Sequence, residues 1–77
     1  MDVTAVIEEA RREVGAGHDK EAARLLTDAV YATHDAALEA EIMRLAEQGL
    51  QHAGRFGKGR WEEIIRIARL RGAGGSG

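Results

Sequence analysis

The sequence predicts an all-α protein, a small bundle of four helical segments. Apolar side chains recur at spacings of three and four along four separate stretches, which is the period of a helix with one buried face. Ala, Glu, Arg and Leu dominate the composition, and the 77 residues include no proline. Most of the ten glycines lie between the stretches or near the C-terminal end, where they mark loops.

The first two helices are predicted over residues 4–14 and 19–33. Asp2 or Thr4 can cap the first helix, and the glycines at 15 and 17 stop it. Asp19 is the expected N-cap of the second helix. The apolar positions are Val3, Val6, Ile7, Ala10 and Val14 in the first segment, and Ala22, Leu25, Leu26, Ala29, Val30 and Thr33 in the second.

The third helix, predicted over residues 35–53, is apolar on a wide arc and should therefore lie between neighbours. Its interior Gly49 costs about 1 kcal/mol relative to Ala, and a close helix crossing is the usual structural reason. A flexible connection is expected over residues 54–60. The fourth helix should then run from Trp61, a core anchor, to about residue 71.

Length and composition bound the class of protein. We expect one helical domain over residues 1–71, followed by a flexible Gly/Ser tail at 72–77. The chain has no cysteine, so it has no disulfide or thiolate metal site, and its stability must come from apolar packing within the monomer or across an oligomer interface. No stretch resembles a bilayer span or a signal peptide, which predicts a cytoplasmic protein without membrane contact.

Residues 17–30 resemble the second helix of a tetratricopeptide repeat. That family places a glycine before the helix and then small, large and small residues at fixed offsets, here Gly17, Ala22, Leu26 and Ala29. Weaker echoes of a following unit lie at residues 45–46, 54–56 and 61–64, although the connection at 55–60 is longer than the family's. The resemblance covers about residues 5–70 and implies two antiparallel helical hairpins that form a protein- or peptide-binding scaffold.

Catalytic side chains are scarce. The single serine, Ser76, lies in the expected tail, and there is no cysteine to act as a nucleophile. The glycine-rich stretch at 54–60 contains Lys58 but lacks the Gly-Lys-Ser/Thr ending of a phosphate-binding loop. We therefore expect neither an enzyme nor a cofactor site.

Two His-Asp pairs, at residues 18–19 and 34–35, could supply metal ligands if the hairpins brought them together. The simpler reading is that each Asp caps a helix and each His is exposed, and it predicts no metal. Three glutamates of the third helix are interpreted as part of a solvated face: Glu39, Glu41 and Glu47.

Charge is distributed unevenly between the two parts of the chain. Residues 1–50 hold five basic and eleven acidic side chains, whereas residues 51–77 hold six basic and two acidic ones. A nucleic-acid-binding regulator is therefore the alternative hypothesis, with a polyanion-binding set of Arg55, Lys58, Arg60, Arg66 and Arg69. The same charges could instead meet the acidic helices of this molecule or of a second copy.

The favoured hypothesis is a non-catalytic protein–protein interaction or oligomerisation module. Apolar helix faces would bind a helix from a partner or from another copy, which predicts a homo-oligomer. The candidate partner-binding residues are Leu38, Ile42, Leu45, Leu50, Trp61 and Ile65.

Overall fold

A computed structural model describes residues 1–54 and 57–71, which form four helices: α1 (Val3–Ala16), α2 (Asp19–Ala32), α3 (Ala36–His52) and α4 (Lys58–Leu70). No strand occurs in these residues, so the predicted all-α class is confirmed. The first three helices begin and end within two residues of the predicted positions. Arg55 of the predicted polyanion set and the predicted tail at 72–77 lie outside the described residues.

The helices form two antiparallel hairpins that lie against each other. α1 packs mainly against α2, and α3 packs mainly against α4. The hairpins meet through contacts of α1 with α3 and of α2 with both α3 and α4. No contact joins α1 to α4 in the described part of the chain. Short connections between successive helices favour this antiparallel arrangement.

One core contains apolar side chains from all four helices. Its largest fully buried members are Trp61, Leu26, Ile42, Ile64 and Val30. The fully buried alanines allow close approach of the helices, and they are Ala10, Ala22, Ala29, Ala46 and Ala68. The prediction that Trp61 anchors the core is confirmed, since none of its surface is exposed.

The helix ends agree only in part with the predicted caps. Asp2 caps α1, where its Oδ1 accepts from the Ala5 N–H at 3.3 Å. Asp35 caps α3, where its Oδ1 accepts from two successive backbone N–H groups at 2.8 and 3.3 Å. Asp19, in contrast, is the first residue of α2 and not its N-cap, so that prediction is wrong. The N-cap position belongs to His18, whose side chain makes no capping hydrogen bond.

The end of α1 shows why α2 begins without a side-chain cap. Gly17 adopts a left-handed conformation with φ of 80°. The backbone N–H of His18 then donates to the Glu13 carbonyl at 2.9 Å, which closes α1 in a compact turn. The chain therefore enters α2 directly from this turn, and α1 extends past Gly15 to Ala16.

α4 begins three residues earlier than predicted. Lys58, Gly59 and Arg60 form its first turn, so the flexible connection predicted over residues 54–60 is wrong at these three residues. A glycine near a helix N-terminus interrupts no hydrogen-bonded interior, because the first four N–H groups have no partner within the helix. Burial of Trp61 and Ile64 then fixes this helix on the core.

Glu39 is a third correction, because it is not on a solvated face. Its side chain is 4% exposed, and its Oε2 lies 3.4 Å from Nε of Arg71. An Nη of Arg71 also donates to the Thr33 carbonyl at 3.0 Å. Arg71 thus attaches the end of α4 to the connection between α2 and α3.

Candidate interaction surface

Most of the predicted partner-binding residues lie inside the monomer. Ile42, Leu45, Trp61 and Ile65 are buried within the chain's own core, with exposed fractions between 0 and 9%. Leu38 and Leu50 are half-buried and pack against the same core. The wide apolar arc of α3 is used by its contacts with α1, α2 and α4. Only part of the predicted set therefore remains accessible.

Two members of that set, the half-buried Leu50 and the buried Ile65, line a groove between α3 and α4. This groove has a volume of about 570 Å³, and Leu50, Ile65 and Leu70 supply its apolar side chains. Leu70 is 73% exposed, although it lies at the end of a helix that is otherwise well packed. The hairpin therefore presents one large apolar side chain to water in a groove that also contains the half-buried Leu50 and the buried Ile65.

Charged side chains of both signs surround these apolar residues. Glu47 comes from α3, whereas Glu62, Arg66 and Arg69 come from α4. Arg66 forms an ion pair with Glu63 and donates a hydrogen bond to the Glu63 carboxylate. This hydrogen bond raises the pKa of the Arg66 guanidinium. The other three make no ion pair within residues 1–54 and 57–71. The rim thus carries two unpaired carboxylates and one unpaired guanidinium.

A groove between the C-terminal parts of α1 and α3 has a larger volume, about 710 Å³. Its lining is mostly polar or small, including Arg11, Gln48 and His52, and Val14 is its one large aliphatic residue. Polar surface of this kind gains little from being removed from water. The α3–α4 groove is therefore the better candidate for binding an apolar partner.

The predicted polyanion-binding residues do not gather at one place. Arg60 lies in a shallow groove between α2 and α4 beside Lys20 and Arg24, where two carboxylates are also present. Arg66 and Arg69 line the α3–α4 groove, again with acidic neighbours. Lys58 is exposed in the first turn of α4. Each described member except Lys58 is thus part of a surface of mixed sign.

The two His-Asp pairs lie at opposite ends of α2. The helix has 14 residues and is about 21 Å long, so His18 and His34 cannot bind the same metal ion. His18 contacts Glu13 at 2.7 Å, and His34 lies 3.3 Å from the Arg71 guanidinium. No group of three or more His, Asp or Glu side chains is placed to hold a metal among the residues that the structure describes.

None of the helices described is long and apolar enough to cross a bilayer.

Sequence reasoning did not identify three residues of the groove: Glu47, Glu62 and Leu70. The spacing of apolar residues gave no signal for the exposure of Leu70, because Leu70 lies three residues after the buried Ile67 and so fits the period of the core stripe. Its exposure follows from its place as the last residue of α4. Comparisons of the chain with models of protein families, with curated proteins and with solved structures give no match.

Proposed function

We propose that the chain is a non-catalytic interaction module that associates with a second copy of itself through the α3–α4 groove. The observation that carries this proposal is the exposure of Leu70 in the groove that Leu50 and Ile65 also line. Complete burial of one leucine side chain stabilises a complex by about 1.5–3 kcal/mol. Two copies that join by the same face would bury two such side chains.

The arrangement of the hairpins supports an interaction role. Two antiparallel hairpins in contact are in line with the tetratricopeptide-like organisation expected from residues 17–30, and that family consists of protein- and peptide-binding scaffolds. The mixed charges around the groove also favour a protein surface over a polyanion, because a phosphate backbone would meet Glu47 and Glu62 as well as the two arginines. The formal net charge of −2 adds little repulsion between copies.

Static light scattering over a concentration series tests the proposal. The mass of the wild-type chain should rise from the monomer value at low micromolar concentration toward twice that value as the concentration increases. Leu70→Glu should abolish the rise, because a carboxylate would have to be desolvated inside the interface. Circular dichroism should show the same helicity for this variant, since the side chain is exposed in the monomer.

Ala5→Glu is the matched control. It adds the same charge at an exposed position of α1, a helix that does not contact α4 in the described part of the chain. It should leave the concentration dependence of the mass unchanged. A wild-type chain that remains monomeric up to millimolar concentration would overturn the proposed function, and so would a Leu70→Glu variant that associates as strongly as the wild type.

A further inference from the structure

We infer that the second copy docks with its α4 antiparallel to the first, and that Glu62 and Arg69 determine this orientation by pairing across the interface. The inference rests on the proposed function, because it concerns the same groove. Its starting point is the set of unpaired charges on the rim. Glu62 and Arg69 have opposite charge, line the same groove and make no ion pair within the described residues.

The spacing of the two residues places them on one face of α4. They are seven residues apart, which is close to two helical turns, and they are separated by about 10 Å along the axis. Ile65 lies between them in sequence and lines the same groove. Toward the groove, α4 is therefore acidic near its start and basic near its end, and between the two lie the buried Ile65 and Arg66, whose guanidinium is paired with Glu63.

A face of this kind is complementary to itself in only one of two symmetric arrangements. When two copies of α4 run antiparallel about a two-fold axis, Glu62 of each copy meets Arg69 of the other, and the two Ile65 side chains approach the axis. When they run parallel, Glu62 meets Glu62 and Arg69 meets Arg69. Like charges placed directly opposite each other disfavour the parallel arrangement.

The same register also brings the groove's leucines together. Gly49 of α3 lies beside Trp61 of α4, and Glu39 of α3 lies beside Arg71 at the end of α4. The residue numbers add to 110 in both pairs. Any residue of α3 and any residue of α4 whose numbers add to 110 therefore lie at the same height along the two antiparallel helix axes. Leu50 is therefore level with the start of α4, next to Glu62 on the rim. In the antiparallel register, this end of the groove faces the end of the other α4, where Leu70 is exposed.

Glu47 contributes to the same pairing. By the same rule it is level with residue 63, which neighbours Glu62. Arg69 of the second copy would then approach a pair of carboxylates, one from α3 and one from α4. Each half of the symmetric interface thus brings the Arg69 guanidinium of one copy to the Glu62 and Glu47 carboxylates of the other. It also brings Leu70 of the first copy to Leu50 of the second.

Charge reversal tests the orientation. Glu62→Arg alone and Arg69→Glu alone each place like charges at both contacts of an antiparallel dimer. Each should raise the Kd of self-association about tenfold, as expected for the loss of two partly exposed ion pairs. The double variant Glu62→Arg/Arg69→Glu should restore the wild-type Kd, as should an equimolar mixture of the two single variants. Analytical ultracentrifugation gives the Kd of the wild type, of the three variants and of the mixture, and circular dichroism confirms that these surface variants fold.

Glu8→Arg is the matched control, because it makes the same charge change at an exposed residue of α1 and should leave the Kd unchanged. A parallel dimer would respond differently, since Glu62→Arg would only replace one pair of like charges by another. Wild-type self-association with the same Kd in both single variants would overturn the antiparallel pairing and leave the proposed function standing. A wild-type chain that never self-associates would overturn both.

Discussion

The indole of Trp61 lies against the backbone of Gly49, where it occupies the space that a Cβ atom would fill. A Cβ built on Gly49 would lie 2.5 Å from Cε2 of Trp61, far inside the separation of about 3.5–4.0 Å at which carbon atoms make contact. Both residues are buried, so the ring has no free space to move into. The glycine is therefore what allows α3 and α4 to pack this closely.

Gly49→Ala should destabilise the protein by about 1–3 kcal/mol, although alanine is favoured over glycine in a helix by about 1 kcal/mol. The clash with Trp61 outweighs the gain in helix propensity. Urea unfolding, followed by circular dichroism and by the fluorescence of the single tryptophan, measures the difference. Gly59→Ala is the control, because nothing lies within 4 Å of a Cβ at that helical position, and it should stabilise the protein by about 0.4–1 kcal/mol. Equal effects of the two substitutions would contradict the role of Gly49.

Arg71→Met should lower the free energy of unfolding by about 1–2 kcal/mol, because it leaves the buried carboxylate of Glu39 and the Thr33 carbonyl without their donor. Arg12→Met removes an exposed arginine that makes no ion pair in the described part of the chain, and it should change stability by less than about 0.5 kcal/mol. Thermal unfolding of the two variants side by side gives the comparison. A loss no larger for Arg71→Met than for Arg12→Met would show that the attachment of α4 to the α2–α3 connection contributes nothing to stability.

The two aspartates at helix starts should differ in their contribution to stability. Asp35→Ala removes a side chain that accepts two backbone hydrogen bonds, and it should cost about 1 kcal/mol. Asp19→Ala removes only the favourable charge in the first turn of α2, and it should cost about 0.3–0.5 kcal/mol. Urea denaturation at neutral pH distinguishes these values. If both substitutions cost the same, Asp19 has a capping role that its position at the first helical residue does not provide.

The pKa of Glu21 should be lower than that of an ordinary glutamate. The hydrogen bond from Arg24 is the main cause, and the charge of the same guanidinium adds to it. Because the folded-state pKa is lowered, the stabilisation by this pair is present above the ordinary glutamate pKa and disappears as the pH falls through the lowered value. An NMR titration of the side-chain carboxyl measures the shift. Arg24→Gln should return the pKa toward its ordinary value, whereas Arg12→Gln should leave it lowered.

Helix number and most helix boundaries follow from the sequence because the apolar period is regular. The stripes that include Ile7, Leu26 and Ile42 pack on the core as predicted, and Gly49 marks the close crossing that its position indicated. The start of α4 was not predictable in this way. Two glycines and two basic residues over 57–60 have the composition of a loop, and only the packing of Trp61 on α3 favours a helix there.

The candidate surface was less accessible to sequence reasoning than the fold. Periodicity shows which residues of a helix are apolar, but it does not show which of them the chain covers with its own helices. Ile42 and Trp61 were therefore predicted as partner-binding residues although they are buried in the monomer. The burial of Glu39 depends on Arg71, which is 32 residues away in sequence, so no local pattern reveals it.

α1 and α4 lie diagonally opposite each other in the bundle, because each contacts α2 and α3 while the two do not contact each other in the described part of the chain. A disturbance at one of these two helices can reach the other only by way of α2 or α3. The outward side of α1, around Glu8 and Arg12, is exposed and remote from Leu70. A fluorescent dye attached there would report on the size of an assembly without touching the surface through which the copies join.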